Sequence, residues 1–367
     1  MIFKEDWEEC KERFDAFWAG ENTERCLISV TAPRDKPLIA PEDRHPRDLR
    51  EKWLSTAYRH SHALYQFANT YFGAEAIPNF QINLGPGVVA AFMGADYELH
   101  DITVWFGQQK HLLSKWDDID KIKFNENSEL WKIAIEMAEY FLTRADGDYL
   151  LCSTDLGGTL DIAASFRGTE QLLTDLYDYP DEVKALCNKI DNIWLSCYDK
   201  IQDMTNKYQE GSVDWYPTWY RGKRTYAVQC DFAAMISPDQ FREFAVPSLI
   251  KQTKTMDKAI YHLDGPGQIP HLDTLLEIDS IDGIQWVPGS GNSSGCSEVW
   301  YPLYKKIQDK GKKLIITCID NAEIGKLLEN ISPRGVMLGW VNCDTEDEAK
   351  ELIKFAARNT KQIRGQI

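Results

Sequence analysis

From about residue 77 onward the chain alternates short apolar runs with amphipathic helical segments, and this alternation narrows its fold more than any other feature. The runs are AIPNFQINLGPG, ITVWFG, GDYLLCSTDLGG, TYAVQCDF, AIYHLDGPG, GIQWVPGSG, KLIITCID and GVMLGWVNCD. Each ends in small or polar residues, while stretches such as SPDQFREFAVPSLIKQTKTMD and NAEIGKLLENIS carry the helical period. Strands that alternate with helices build parallel βαβ units, because parallel neighbours need a crossover. Eight such runs predict an α/β fold, a (β/α)8 TIM-type barrel with an N-terminal helical extension. The extension is expected over 1–70, packed on a barrel formed by 71–367. ITVWF fits this pattern least well, since the next run starts roughly forty residues later. Within the extension, CLISVTAP reads as a short strand, DKPLIAPEDRHPRDL as a loop, and LREKWLSTAYRHSHALYQFANTYFG as helix.

The bulk properties exclude several classes of function. A net charge of −16 argues against a nucleic-acid partner, whose phosphates it would repel. Nine cysteines without a CxxC pair do not form a secreted disulfide framework, a zinc ribbon or a thioredoxin-type centre. The N-terminal segment lacks the apolar core of a signal peptide, and no run is long enough to span a membrane. A cytoplasmic protein acting on a small molecule is expected, and a homodimer is one expected assembly. Neither GxGxxG nor GxxxxGK[ST] occurs, so no standard phosphate cradle is present.

In a barrel the active face is the carboxyl end of the strands. The residues at those ends are Asp155, Asp231, His262, Asp264, Trp286, Cys318, Asp320, Trp340 and Cys343. For Asp155 and Asp320, capping of the following turn is an equal explanation. His262 and Asp264 stand out as a pair, because strand side chains two apart point the same way. They could ligate a metal, or Asp264 could fix the imidazole tautomer for acid–base work. The competing reading is a histidine bonded to main chain and an aspartate closing the Gly265-Pro266-Gly267 turn. Trp286 and Trp340 are candidates for an aromatic pocket wall, with packing an equal alternative. Arg221 and Arg224 precede a strand and so belong at the opposite face; they could clamp a carboxylate, but a solvated basic loop fits better. VPGSGNSSGCSEVW reads as a mobile loop over the pocket.

Four segments together resemble the uroporphyrinogen decarboxylase superfamily: DLGGTLDIAASFRGTEQLLTDLYDYPDEV, CDFAAMISPDQFREFAVPSLIK, YHLDGPGQIPHLDTLLEIDSIDGIQWVPG and CDTEDEAKELIK. The resemblance implies a barrel with its site at the carboxyl face, and it covers two chemistries. The decarboxylases act on a tetrapyrrole with many carboxylates and need no cofactor. Asp231 matches their strand-end aspartate, while their arginine-bearing motif of the form RQAGRY is absent here. The corrinoid-linked methyltransferases bind zinc through a His-x-Cys pair and a distant cysteine. Here that pair is His262-Leu263-Asp264, with Cys343 as the distant ligand and Cys318 as its competitor. The resemblance therefore implies a methyltransferase-like enzyme exchanging a methyl group between a small methylated compound and a corrinoid protein or thiol. His262, Asp264 and Cys343 would hold zinc; Asp231 would act with them; Asp155, Trp286, Trp340 and Arg221 would bind substrate. A metal-free site in which His262 and Asp264 handle the substrate directly remains open. The alternatives are a cofactor-free decarboxylase of a tetrapyrrole-like or aromatic carboxylate, and a non-catalytic corrinoid or tetrapyrrole-binding protein.

Overall fold

The computed structural model describes residues 1–364 except 23, 24, 39–41, 43 and 217. Four residues of the predicted 35–49 loop therefore lie outside the described residues. The strands are β1 (Leu27–Pro33), β2 (Thr70–Ala74), β3 (Asn79–Gln81), β4 (Tyr97–Leu99), β5 (Val104–Phe106), β6 (Leu150–Cys152), β7 (Ser212–Val213), β8 (Trp219–Tyr220), β9 (Thr225–Val228), β10 (Lys258–Asp264), β11 (Gly283–Val287), β12 (Lys313–Ile316) and β13 (Val336–Asn342). Seven of them form one sheet in the order β2-β1-β13-β12-β11-β10-β9. It is parallel throughout except for β2, which runs antiparallel to β1 along one edge. β3 and β6 pair in parallel as a separate ladder. Among the described residues the two ladders are not joined by hydrogen bonds, so the architecture is a mixed α/β fold with a seven-stranded sheet, and a closed barrel is not shown.

Two sequence expectations change. ITVWF does not enter the central sheet: its β5 folds back on β4 as an antiparallel hairpin. The strand beside β13 is instead β1, from within the first 70 residues. The long helix expected over 49–73 is also divided. Ser55 ends the helix Leu49–Leu54, and its hydroxyl accepts from Tyr58 N–H to start the helix Thr56–Asn69. The remaining residues form β2, antiparallel to β1 along the sheet edge.

Alternation along the strands sorts their side chains into two cores. Leu27, Ile77, Leu150, Cys152, Ala227, Ile260, Ile315 and Met337 share an inner core with Phe14, Phe17 and Trp18 of α1 (Trp7–Ala19). α1 thus closes the amino end of the strands, and Trp18 Nε1 donates to the Trp219 carbonyl at 2.8 Å. Buried Glu75 ties this end together, accepting from Arg13, from Arg25 Nη1 at 2.6 Å and from Ile28 N–H at 2.8 Å. The intervening strand residues, such as Leu263, Trp286 and Leu338, face the surrounding helices in a larger outer core. No helix of the described residues is long and apolar enough to cross a membrane.

Candidate functional site

Above the apolar inner core, at the carboxyl end of the strands, the inward positions become polar. Register places His262 of β10 beside Gln285 of β11, both pointing inward. His262 Nδ1 lies 2.5 Å from Gln285 Oε1 and 2.9 Å from the Tyr216 hydroxyl. The next links decide the proton. Thr317 Oγ1 donates to the Trp286 carbonyl at 2.9 Å, so it accepts from Gln285 Nε2, also at 2.9 Å. The Gln285 oxygen then faces the ring and must accept from Nδ1–H, which leaves Nε2 with a free lone pair. Burial lowers the His262 pKa, favouring this neutral form.

One ligand atom from each of His262, Asp231 and Asp264 falls within 4.8 Å of the others. Asp231 follows β9 at the start of a 3₁₀ turn, Asp231–Met235. That turn is held by Asp161 on the helix Thr159–Arg167, whose carboxylate accepts from Asp231 N–H at 3.0 Å and Phe232 N–H at 2.7 Å. Asp155, just past β6, accepts from Gly157 N–H at 2.9 Å. There the loop after β3 and the loop after β6 touch. Gly87 and Gly157 both have positive φ, 80° and 86°, and a Cβ on Gly157 would collide with the Gly87 main chain.

Four carboxylates and one histidine therefore converge, and their ionisation reflects it. Burial pushes Asp155 up to about 7. Asp161 and Asp231 are both raised, first by burial and then by neighbouring carboxylates: Asp231 acts on Asp161, and Asp264 and Asp155 act on Asp231. The Asp231 and Asp264 side chains reach solvent at the mouth while His262 is buried. Asp231 is nonetheless surrounded by protein on most sides, as a group on the wall of a concavity is. The adjoining cavity, about 370 Å³, is walled by Trp105, Phe106, Phe232 and Met235, and none of its described lining residues is Lys or Arg.

The structure thus brings Asp155, Asp231, His262 and Asp264 together, and places other expected site residues elsewhere. Cys343 is outside the metal-like cluster, which Asp231 completes instead. Its N–H donates to the Thr31 carbonyl, its sulfur accepts from Asn321 Nδ2, and burial pushes its thiol up to about 11, away from the thiolate a metal needs. Cys318, the competing thiol, is exposed and outside the cluster as well. Trp286 is fully buried on the outward side of β11, its ring 4.9 Å from Trp300, because only alternate residues of a strand can face inward. Arg221 precedes β9 and sits at the opposite end of the strands, bridging Asp15 at 2.7 Å and Glu210 at 2.8 Å. Trp340 does stand near the histidine: its ring is 4.8 Å from Tyr216, and its φ of 55° is unusual for an aromatic residue. Asp320 is a turn cap, accepting from Ala322 N–H.

Asp161, Tyr216, Gln285 and Thr317 were not anticipated. Asp161 carried a weak signal, as an acid three residues past Gly158 in the first turn of a helix. The others become visible only once strand register is known.

No family model matches the chain, and no curated protein matches it. Among solved structures, a methyltransferase from Methanosarcina mazei superposes with a TM-score of 0.60 at 12% identity, over 95% of this chain and 98% of that one. At that identity the likeness is one of fold.

Proposed function

We propose that this chain is a methyltransferase-like enzyme that moves a methyl group between a small methylated compound and a corrinoid protein or thiol, with a divalent metal at Asp231, His262 and Asp264. The observation that carries the reading is the cluster itself. One imidazole and two carboxylates converge, and the imidazole's Nδ1 is already committed to Gln285. Metal-binding histidines are oriented in this way by an acceptor behind the ring. Burial first and then repulsion from Asp264 and Asp155 raise Asp231, and a bound cation would relieve the repulsion.

An oxygen-rich donor set suits zinc or a harder divalent ion, which when bound supplies Lewis acidity toward an ether, alcohol or thiol. The chain's own residues do the rest. Gln285 and Thr317 hold the His262 tautomer, Asp161 holds the Asp231 turn, and Asp155 with the aromatic wall orients the substrate. The overall frame is inferred to be a (β/α)8 barrel. Its support is that β6, with Ile77 just before β3, contributes to the same inner core as β1, β9, β10, β12 and β13, although the ladders are separate. The shared fold with a methyltransferase is consistent with the activity. A decarboxylase of a polycarboxylate fits less well, because the described cavity lining offers no cation to receive it.

Metal content of protein purified without added metal, followed by zinc titration, tests the reading. One ion per chain is expected, lost in His262→Ala and in Asp231→Asn. A wild-type protein that holds no metal and takes up none on titration would overturn it.

A further inference from the structure

A second concave site lies away from this cluster, between the helices Leu49–Leu54 and Thr56–Asn69 and the free edge of β3. Its volume is about 310 Å³, and Lys52, Arg59, Gln66, Asn79 and Phe80 are among its lining. Arg59 is unusual for this protein. Its guanidinium donates only to main-chain oxygens, those of Gln81 at 3.2 Å, Trp53 at 3.4 Å and Asn83, and it lies 5.1 Å from the Phe80 ring centroid. Among the described residues no carboxylate pairs with it, whereas Arg25 is paired with Glu75 and Arg167 with Asp175. Burial without a counter-ion pushes its pKa down to about 10.

Lys52 stands at the cavity rim with Nζ donating to the Asp101 carbonyl, so a second positive charge faces the opening. Two cations, Arg59 and Lys52, thus line one space large enough for a small metabolite.

We propose that this cavity binds a small anion, a carboxylate or a phosphate, with its charge on Arg59 and Lys52. The anion supplies the charge that Arg59 lacks, and the guanidinium fork matches either group in two-point contact.

Calorimetric titration of the full chain with inorganic phosphate, and separately with succinate, in low-chloride buffer tests the proposal. Saturable binding of at least one, at one per chain, is expected, and which one binds distinguishes the two sources. Arg59→Met should abolish it, with the fold checked by circular dichroism. Gln66→Glu, on an exposed face, places a like charge at the opening and should weaken binding by roughly tenfold or more; it decides the matter if Arg59→Met does not fold. Binding should persist in His262→Ala, which alters only the other site. Absence of saturable binding by both anions, binding indifferent to Gln66→Glu, or binding lost in His262→Ala would overturn the assignment.

Discussion

Replacing Asp155 with Asn should stabilise the metal-free protein at alkaline pH and lose that advantage in acid. The carboxyl is 8% exposed, and burial raises its pKa from 3.8 to about 7. A raised carboxyl pKa means that the folded state holds the proton more tightly than the unfolded chain. Its contribution to stability is therefore complete below pH 3.8 and is lost as pH rises to about 7. At about 1.36 kcal/mol per unit, the loss across that window is roughly 4 kcal/mol. Asn has no ionisation to oppose. It keeps one oxygen for Gly157 N–H but gives up the other, a fixed cost of about 1–3 kcal/mol from the lost acceptor. That cost cancels when the same pair of proteins is compared at two pH values. Urea unfolding of wild type and Asp155→Asn at pH 4.5 and pH 8, with EDTA present, isolates the pH-dependent part. The difference in unfolding free energy should move by about 3–4 kcal/mol in favour of the variant between the two conditions. A difference that stays constant, or moves the other way, would refute the picture of a carboxyl held protonated by burial.

Gln285→Leu should leave the fold intact but free the His262 ring, lowering metal affinity by roughly 10–100-fold in chelator competition; unchanged affinity would remove Gln285 from its orienting role. Gly157→Ala should destabilise by several kcal/mol, since it combines positive φ with a collision against Gly87; a melting temperature within a degree of wild type would contradict that. Arg221→Ala should change stability by no more than about 1 kcal/mol and leave metal uptake untouched, because its ion pairs are half-exposed and at the far end of the strands.

The strands from β9 to β13 were legible because buried parallel strands write themselves as uninterrupted apolar runs with polar ends. The same rule misread ITVWF, since a three-residue hairpin strand with one exposed tryptophan looks alike over so short a span. β1 was seen as a strand, but its place beside β13 depends on contacts some 300 residues apart, which periodicity cannot encode. At the site, Asp231, His262 and Asp264 were readable from their positions at strand ends. Their mutual approach was not, and the resemblance implied Cys343 as the third ligand where the structure places Asp231 beside the pair. Asp161 and Gln285 act across elements, through a helix N-terminal turn and a neighbouring strand, so neither leaves a local pattern.

The meeting of Gly87 with Gly157 bears on how this chain can vary. Two loops separated by 70 positions meet where a side chain on Gly157 would collide with Gly87, and where Gly87 is held to glycine by its own positive φ. A change at one position cannot be rescued by a change at the other, because each is already the smallest residue and each needs its own left-handed turn. The pair should therefore persist or vanish as a unit among sequences sharing this fold. Wherever it persists, Asp155, bonded to Gly157 N–H, inherits a fixed location, and the wall it belongs to keeps one rigid shape.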